Sequence, residues 1–384
     1  MRKVLFLQNN GKSFGGVWQV NRLLGENLIE KGYDVTICAI RNNKNNLIIE
    51  HDPRLKTMTI NEDDEWGTYS GSEIINSLKK IKILTTIKMI VSRVKYNIIL
   101  KKDINRLHNY LEELKPDFII ISHYQILDMI PKEYYSNIIF VQHSSFKDAI
   151  NHKATRKTLY KYKDKIKYVW LTKNTMNEAI KYGITNSTYI YNAVRFKSNK
   201  VADTIKNKKL ITIARLSKDK NISLMIDIVK EVFKDDSFKD WVLEIYGNGE
   251  ELDKLKKLIN NHKQIHLMGL TDNPKEKLLS SSINLNTSPY EGFCLSILEA
   301  NECGVPTISF NFGESSTEEI INNKTGIIAK DKNDYIKKLK ELMKNEKQLK
   351  ELSNNCKKFN KQFQVELIIN KWIDLFKEID KNKE

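Results

Sequence analysis

Short apolar runs rich in isoleucine and valine alternate along the whole chain with longer charged stretches of helical period. This rhythm restricts the fold to repeated β-α units built on parallel sheets. In the first half, strands are expected at residues 4–8, 34–40, 118–122, 138–142 and 168–172. The span 17–31 sets Val20, Leu23, Leu24, Leu28 and Ile29 on one helical stripe and stops at Gly32, a C-terminal helix signal. The alternation restarts after residue 209, with strands expected at 210–214, 241–246, 265–268, 283–287 and 307–310 and helices at 221–233 and 250–261. Between the halves, 195–209 is polar, lysine-rich and aperiodic, and reads as a linker. Residues 362–379 place Val365, Ile368, Trp372, Leu375 and Phe376 near helical spacing, as a helix that packs on a domain surface. The expectation is an α/β chain of two doubly wound parallel-sheet domains facing a cleft, 1–195 and 196–361. A C-terminal helix, 362–384, is expected to pack back toward the first domain. In such sheets, ligands sit beyond the carboxyl ends of the strands, so the chemistry belongs in those loops.

A chain of 384 residues is long enough for two such cores. No run reaches the roughly 18 apolar residues of a membrane span, and the apolar part of MRKVLFLQNN is shorter than a secretory core. Cys38, Cys294, Cys303 and Cys356 form no C-x-x-C pair and no regular framework, which argues against a disulfide scaffold or a zinc site. The expected location is cytoplasmic. The formal charge of +16 is unevenly spread: residues 1–200 hold 33 basic and 19 acidic side chains, a net +14, while 201–384 hold 31 and 29, a net +2. A thinning of acids in one half alone points to an anionic partner held there.

The most informative segment is SPYEGFCLSILEANECGVPTISF, residues 288–310. Pro289 and Gly292 shape a loop after a strand, a helix is expected from Phe293 to Gly304, and Pro306 opens the next strand. With Glu291 in the loop and Glu299 two turns into the helix, the carboxylates lie about 10 Å apart, since a helix rises about 1.5 Å per residue. A retaining glycosidase needs its pair at about 5 Å, so the spacing suits two separate jobs. The amides of Phe293, Cys294 and Leu295 at the helix start are expected to form an anion site.

In ITIARLSKDKN, residues 211–221, Arg215, Lys218 and Lys220 follow a strand, where cations suit a diphosphate. Gly15 and Gly16 lie between the first strand and its helix, and Gly247 and Gly249 form a second glycine turn. Neither has the G-x-G-x-x-G spacing, and the second strand lacks the acid that binds ribose, which excludes a dinucleotide site. His123 and His143 each end a strand, where a ring nitrogen can meet a sugar or phosphate oxygen. KKIKILTTIKMIVSRVKYNIILKK, residues 79–102, reads either as a basic amphipathic helix for an anionic membrane surface or as a helix whose apolar face packs on its own domain. No nucleic-acid reader motif is present, so nucleic acid is not an expected partner.

Together these motifs resemble the retaining glycosyltransferases of family 4, which have the GT-B fold of two Rossmann-like domains. The likeness rests on Arg215, Leu216 and Lys220, then Gly247 and Gly249, then Glu291, Gly292, Phe293, Glu299, Ala300, Gly304 and Pro306, in the family's order. Ala214 and Ala193 stand where the family usually has glycine.

The resemblance implies an acceptor-binding first domain and a donor-binding second. Arg215 and Lys220 would bind the diphosphate of a nucleotide sugar, aided by the 293–295 amides, with Gly15, Gly16 and Gly247 also on the donor. Glu299 would hold the ribose. Glu291 and His143 would stand at the transferred sugar as the catalytic pair, with His123 on the acceptor side and no metal or other cofactor. The implied activity is a retaining, metal-independent hexosyl transfer, with a UDP-sugar favoured, to a glycan or lipid-linked acceptor. It belongs to cell-wall or exopolysaccharide biosynthesis, with the protein peripheral at the inner face of the membrane. The alternatives are a GT-B-fold sugar-nucleotide epimerase and a non-catalytic basic partner subunit.

Overall fold

The computed structural model describes residues 1–10, 16–41, 51–61, 83–381 and 383. Its strands, in chain order, are β1 (Lys3–Asn10), β2 (Asp34–Arg41), β3 (Lys56–Asn61), β4 (Phe118–Ile121), β5 (Ile138–Gln142), β6 (Lys167–Trp170), β7 (Ser187–Tyr189), β8 (Lys209–Ile213), β9 (Val242–Tyr246), β10 (Ile265–Gly269), β11 (Ile283–Asn286), β12 (Thr307–Phe310) and β13 (Gly326–Ala329). Among the described residues these form one seven-stranded sheet of order β3-β2-β1-β4-β5-β6-β7 and one six-stranded sheet of order β10-β9-β8-β11-β12-β13. Every pair in the second sheet is parallel, as are the pairs from β3 through β5 in the first. The fold is the doubly wound α/β pair that the alternation predicts.

Each expected strand is present to within one or two residues. β3, β7 and β13 were not expected, and each lies at the edge of its sheet. An edge strand covers less apolar area: β3 and β7 are mostly half-buried, and β13 is a four-residue GIIA. Their hydrophobic runs are correspondingly weak.

Helix α1 (Gly16–Glu30) follows β1, α2 (Ile83–Leu114) precedes β4, and α3 (Lys173–Lys181) follows β6. In the second sheet, α4 (Ile222–Val232) follows β8 and α5 (Leu295–Glu302) follows β11, and the chain closes on α6 (Val365–Lys381). α4 buries Ile222, Met225, Ile226 and Val229 at helical spacing against Leu210, Leu243, Ile245 and Ile283 of its sheet.

Packing divides the chain into two compact units, one of residues 1–141, 157–168 and 375–384, the other of 142–156 and 169–374, rather than at 195/196. The expected linker is not loose. Up to Lys208 it has no helix or strand, but Val194 N donates to Phe363 O (2.9 Å), Ser198 N to Glu302 (2.9 Å) and Ala202 N to Cys303 O (2.9 Å), all inside the second unit. The last turns of α6, from Leu375, belong to the first unit, where Phe376 stacks on Phe118 at 4.2 Å.

Candidate active site

In the second sheet, strand order reverses between β8 and β11, the switch point at which open α/β sheets bind ligands. The loop carrying Arg215 and Lys220 leaves β8 there, and the loop carrying Glu291 leaves β11. Thr287, just past β11, donates to the carbonyls of Lys220 (3.2 Å) and Asn221 (3.1 Å), so each loop braces the other. The Arg215 loop also runs along the 247–249 turn, where Leu216 N donates to Asn248 O at 2.9 Å. A Cβ on Gly247 would lie 1.8 Å from the Ala214 carbonyl oxygen, which restricts that position to glycine.

Lys220 and Glu291 meet across the switch point, Nζ to Oε1 at 2.6 Å, with Glu291 only 11% exposed. Burial pushes the Lys220 ammonium down, but the neighbouring Glu291 charge and hydrogen bond outweigh it, and the net shift is upward. Arg215 is more open; its Nη2 pairs with Asp219 Oδ2 at 3.2 Å, and Asp219 also lies 3.9 Å from Lys220 Nζ. The loop therefore presents two cations bridged by one acid.

Gly292 brings the second catalytic candidate to the same place. A Cβ there would lie 1.9 Å from the His143 carbonyl oxygen and 2.6 Å from its carbon. Only glycine lets the His143 main chain approach the residue next to Glu291 so closely.

Helix α5 begins two residues later than the spacing predicts. Cys294 caps it in an extended conformation, and its amide donates to Glu319 Oε2 at 2.8 Å. The expected set of three free amides is thereby corrected, because the Cys294 N–H is already used by Glu319, a residue that the motif reading missed. Glu319 is fully buried, its Oε1 has no partner, and burial holds its carboxyl well above the usual range.

The fold therefore favours the protonated form of Glu319. Its raised pKa adds stability at low pH that is lost as pH rises through the folded value. Glu319→Gln keeps an acceptor for Cys294 and should gain in melting temperature over the wild type as the buffer goes from mildly acidic to mildly alkaline. Glu319→Ala should melt lower at every pH. Parallel pH dependence of Glu319→Gln and the wild type would show that the carboxyl ionises without cost.

Glu299 lies in the second turn of α5, 1% exposed, and both of its oxygens are held by Arg195 through Nε and through Nη2, the latter at 2.8 Å. The linker reading overlooked Arg195. Its one signal is chemical: in a lysine-rich stretch, an arginine is the residue suited to a two-pronged carboxylate contact. Tyr191 packs its ring 5.9 Å from Phe293 and 5.1 Å from Phe363.

In the first unit, strand order reverses between β1 and β4. Gly16 opens α1 after β1, with space around its Cα, while Gly15 lies outside the described residues. His123 follows β4; burial lowers its pKa, and its Nδ1 has no hydrogen-bond partner among the described residues. Trp18 on α1 is likewise buried, with no hydrogen-bond partner for Nε1 among the described residues. Burial raises all four thiols, which makes them poor nucleophiles. Among the described residues, no group of three or more His, Cys, Asp or Glu is placed to hold a metal ion.

This arrangement of paired cations and a glycine-spaced acid lies within a recognisable module. Residues 194–359 match the family of glycosyl transferases group 1. Over 202 residues the chain is 28% identical to the poly(ribitol-phosphate) alpha-N-acetylglucosaminyltransferase of Staphylococcus aureus (strain COL). That match covers 51% of this chain, and the chain spans only 39% of that relative. An uncharacterized glycosyltransferase of Haemophilus influenzae is 25% identical over 392 residues, 97% of this chain and 99% of that one. Among solved structures, a mutant of S. aureus TarM in complex with fondaparinux, alpha-GlcNAc-glycerol and UDP superposes with a TM-score of 0.77. It is 17% identical and is matched over 98% of this chain and 100% of that one. Residues 194–359 are thus similar to the glycosyl transferases group 1, and the fold of the chain is that of the GT-B glycosyltransferases.

Proposed function

We propose that this protein is a retaining hexosyltransferase that uses a nucleotide-diphosphate sugar, a UDP-sugar in the first place. The acceptor is a membrane-associated or polymeric cell-surface glycan. The observation that carries the reading is the Lys220–Glu291 ion pair at the β8/β11 switch point, with the His143 main chain against Gly292. Arg215 and Lys220 face the diphosphate and stabilise the charge that develops as it leaves, so no metal is required. Glu291 and His143 flank the transferred sugar. The bond from the sugar's anomeric carbon to the phosphate oxygen breaks, the acceptor oxygen bonds to that carbon from the same face, and the acceptor proton passes to the leaving phosphate. The ribose end falls to the Arg195–Glu299 pair as a unit, because a carboxylate whose oxygens each accept from Arg195 keeps a further lone pair on each for a hydroxyl. His123 and Gly16 are assigned to the acceptor and donor phosphates respectively. The names of the S. aureus relative and of the UDP-bound structure support this reading.

The test is a panel of labelled UDP- and GDP-sugars, with and without membrane extract and without added metal, with anomeric configuration read by NMR. Transfer from at least one donor with retention is expected. Lys220→Ala and Glu291→Gln should each lose about 100- to 1,000-fold in turnover, the scale of removing one aimed electrostatic group. A protein that binds, hydrolyses and transfers none of these donors has another function.

A further inference from the structure

The outer face of α2 carries Ile83, Ile87, Ile90, Val91, Val94 and Ile98, each between 46% and 62% exposed. At 100° per residue they fall within one stripe of about 100°, running about 22 Å along the helix. The opposite face is committed to the first unit. Thr86, Asp103, Leu107 and Leu111 are buried, and Asp103 is held by Arg41 at the end of β2 (2.5 Å) and Asn61 at the end of β3 (2.9 Å). The apolar stripe of the described helix turns away from its own domain, which speaks against the reading in which it packs there. Lys79, Lys80 and Lys82 lie outside the described residues.

Charge identifies the occupant. Residues 83–102 contain Lys88, Arg93, Lys95, Lys101 and Lys102 and no acid. On the helical wheel, Lys88, Lys95 and Lys102 border one side of the stripe and Arg93 the other. A second copy presenting the same face would set cation against cation, which costs energy unless acids alternate with them. A surface of anionic lipid headgroups over acyl chains satisfies both features at once, since the branched side chains enter the interface while the cations stay among the phosphates. Among the described residues no helix is long and apolar enough to cross a membrane, so this contact lies in the plane of the surface.

We infer that the Ile83–Ile98 face of α2 docks the protein on anionic membrane lipid. The inference supplies the surface partner of the transferase proposed above and rests on that reading only for the acceptor's location.

The test is sedimentation of the full chain with phosphatidylglycerol–phosphatidylcholine vesicles in equal parts and with phosphatidylcholine alone, alongside light scattering for oligomeric state. Binding to the anionic vesicles is expected to be at least 10-fold tighter and to weaken with salt. An apolar variant, Ile87→Ser with Ile90→Ser and Val94→Ser, and a charge variant, Lys88→Gln with Arg93→Gln and Lys95→Gln, should each lose at least 5-fold while melting like the wild type. No sedimentation with anionic vesicles, equal binding to both vesicle types, undiminished binding by the apolar variant, or a wild-type dimer that this variant dissociates overturns the inference. Donor turnover in vesicle-free solution is read on the same samples: its absence with vesicle binding intact counts against the transferase reading alone.

Discussion

Gly292→Ala should lower transfer by about 100-fold in a protein that still folds, the cost expected when reacting groups are displaced by about 1 Å. The added methyl would lie 1.9 Å from the His143 carbonyl oxygen and within 2.9 Å of Ser144 Cα, both main-chain atoms that cannot rotate away. Either the loop bearing Glu291 or the chain leaving β5 must move, and each carries one of the two residues assigned to the transferred sugar. The loop has little slack, because Glu291 N donates to Phe312 O (3.3 Å) and Ser315 Oγ donates to Glu291 O (3.1 Å). Turnover of a donor identified in the panel, measured beside the far-ultraviolet spectrum and the melting curve, checks this. Wild-type turnover in Gly292→Ala would mean that the spacing between His143 and Glu291 has no part in the chemistry.

The largest loss of stability is expected from Arg195→Met. It leaves Glu299, 1% exposed, as an uncompensated buried charge, a change that costs about 3–5 kcal/mol. Replacing both, Arg195→Met with Glu299→Met, removes the stranded charge and should recover most of that loss, since hydrophobic substitutes for a buried pair are often neutral. The midpoint of the second unit's denaturant transition, followed for both single variants and the double, gives the coupling directly. A single-variant loss below about 1 kcal/mol would place the pair among solvated surface bridges.

How far the sequence reaches depends on whether a feature is local. The Ser288–Phe310 block was readable because its glycine, its acids and its helix lie within a few residues of one another, and the interior strands were readable because burial on both faces leaves continuous Ile/Val runs. The edge strands β3 and β7 escaped because half-buried strands of three to six residues carry no such run, and β13 because GIIA is too short to form one. Arg195 and Glu299 are 104 residues apart, and nothing in either neighbourhood announces the other. Glu319 was invisible for a different reason: a glutamate in SSTEEI reads as a solvated helix start, and only tertiary packing makes it a buried cap for Cys294. Candidate residues could thus be named from the sequence, while their partnerships, which set charge and protonation, could not.

Asp219 between Arg215 and Lys220 has a consequence for selectivity. An empty pocket of two bare cations attracts any passing anion, whereas here a tethered carboxylate already occupies the place between them. An incoming ligand must displace that internal competitor, so a monoanion offers little advantage over what it replaces. A diphosphate brings more charge than the Asp219 carboxylate alone. On the proposed donor reading, the bridging acid works as a threshold that screens ligands by charge before any contact with base or sugar is made.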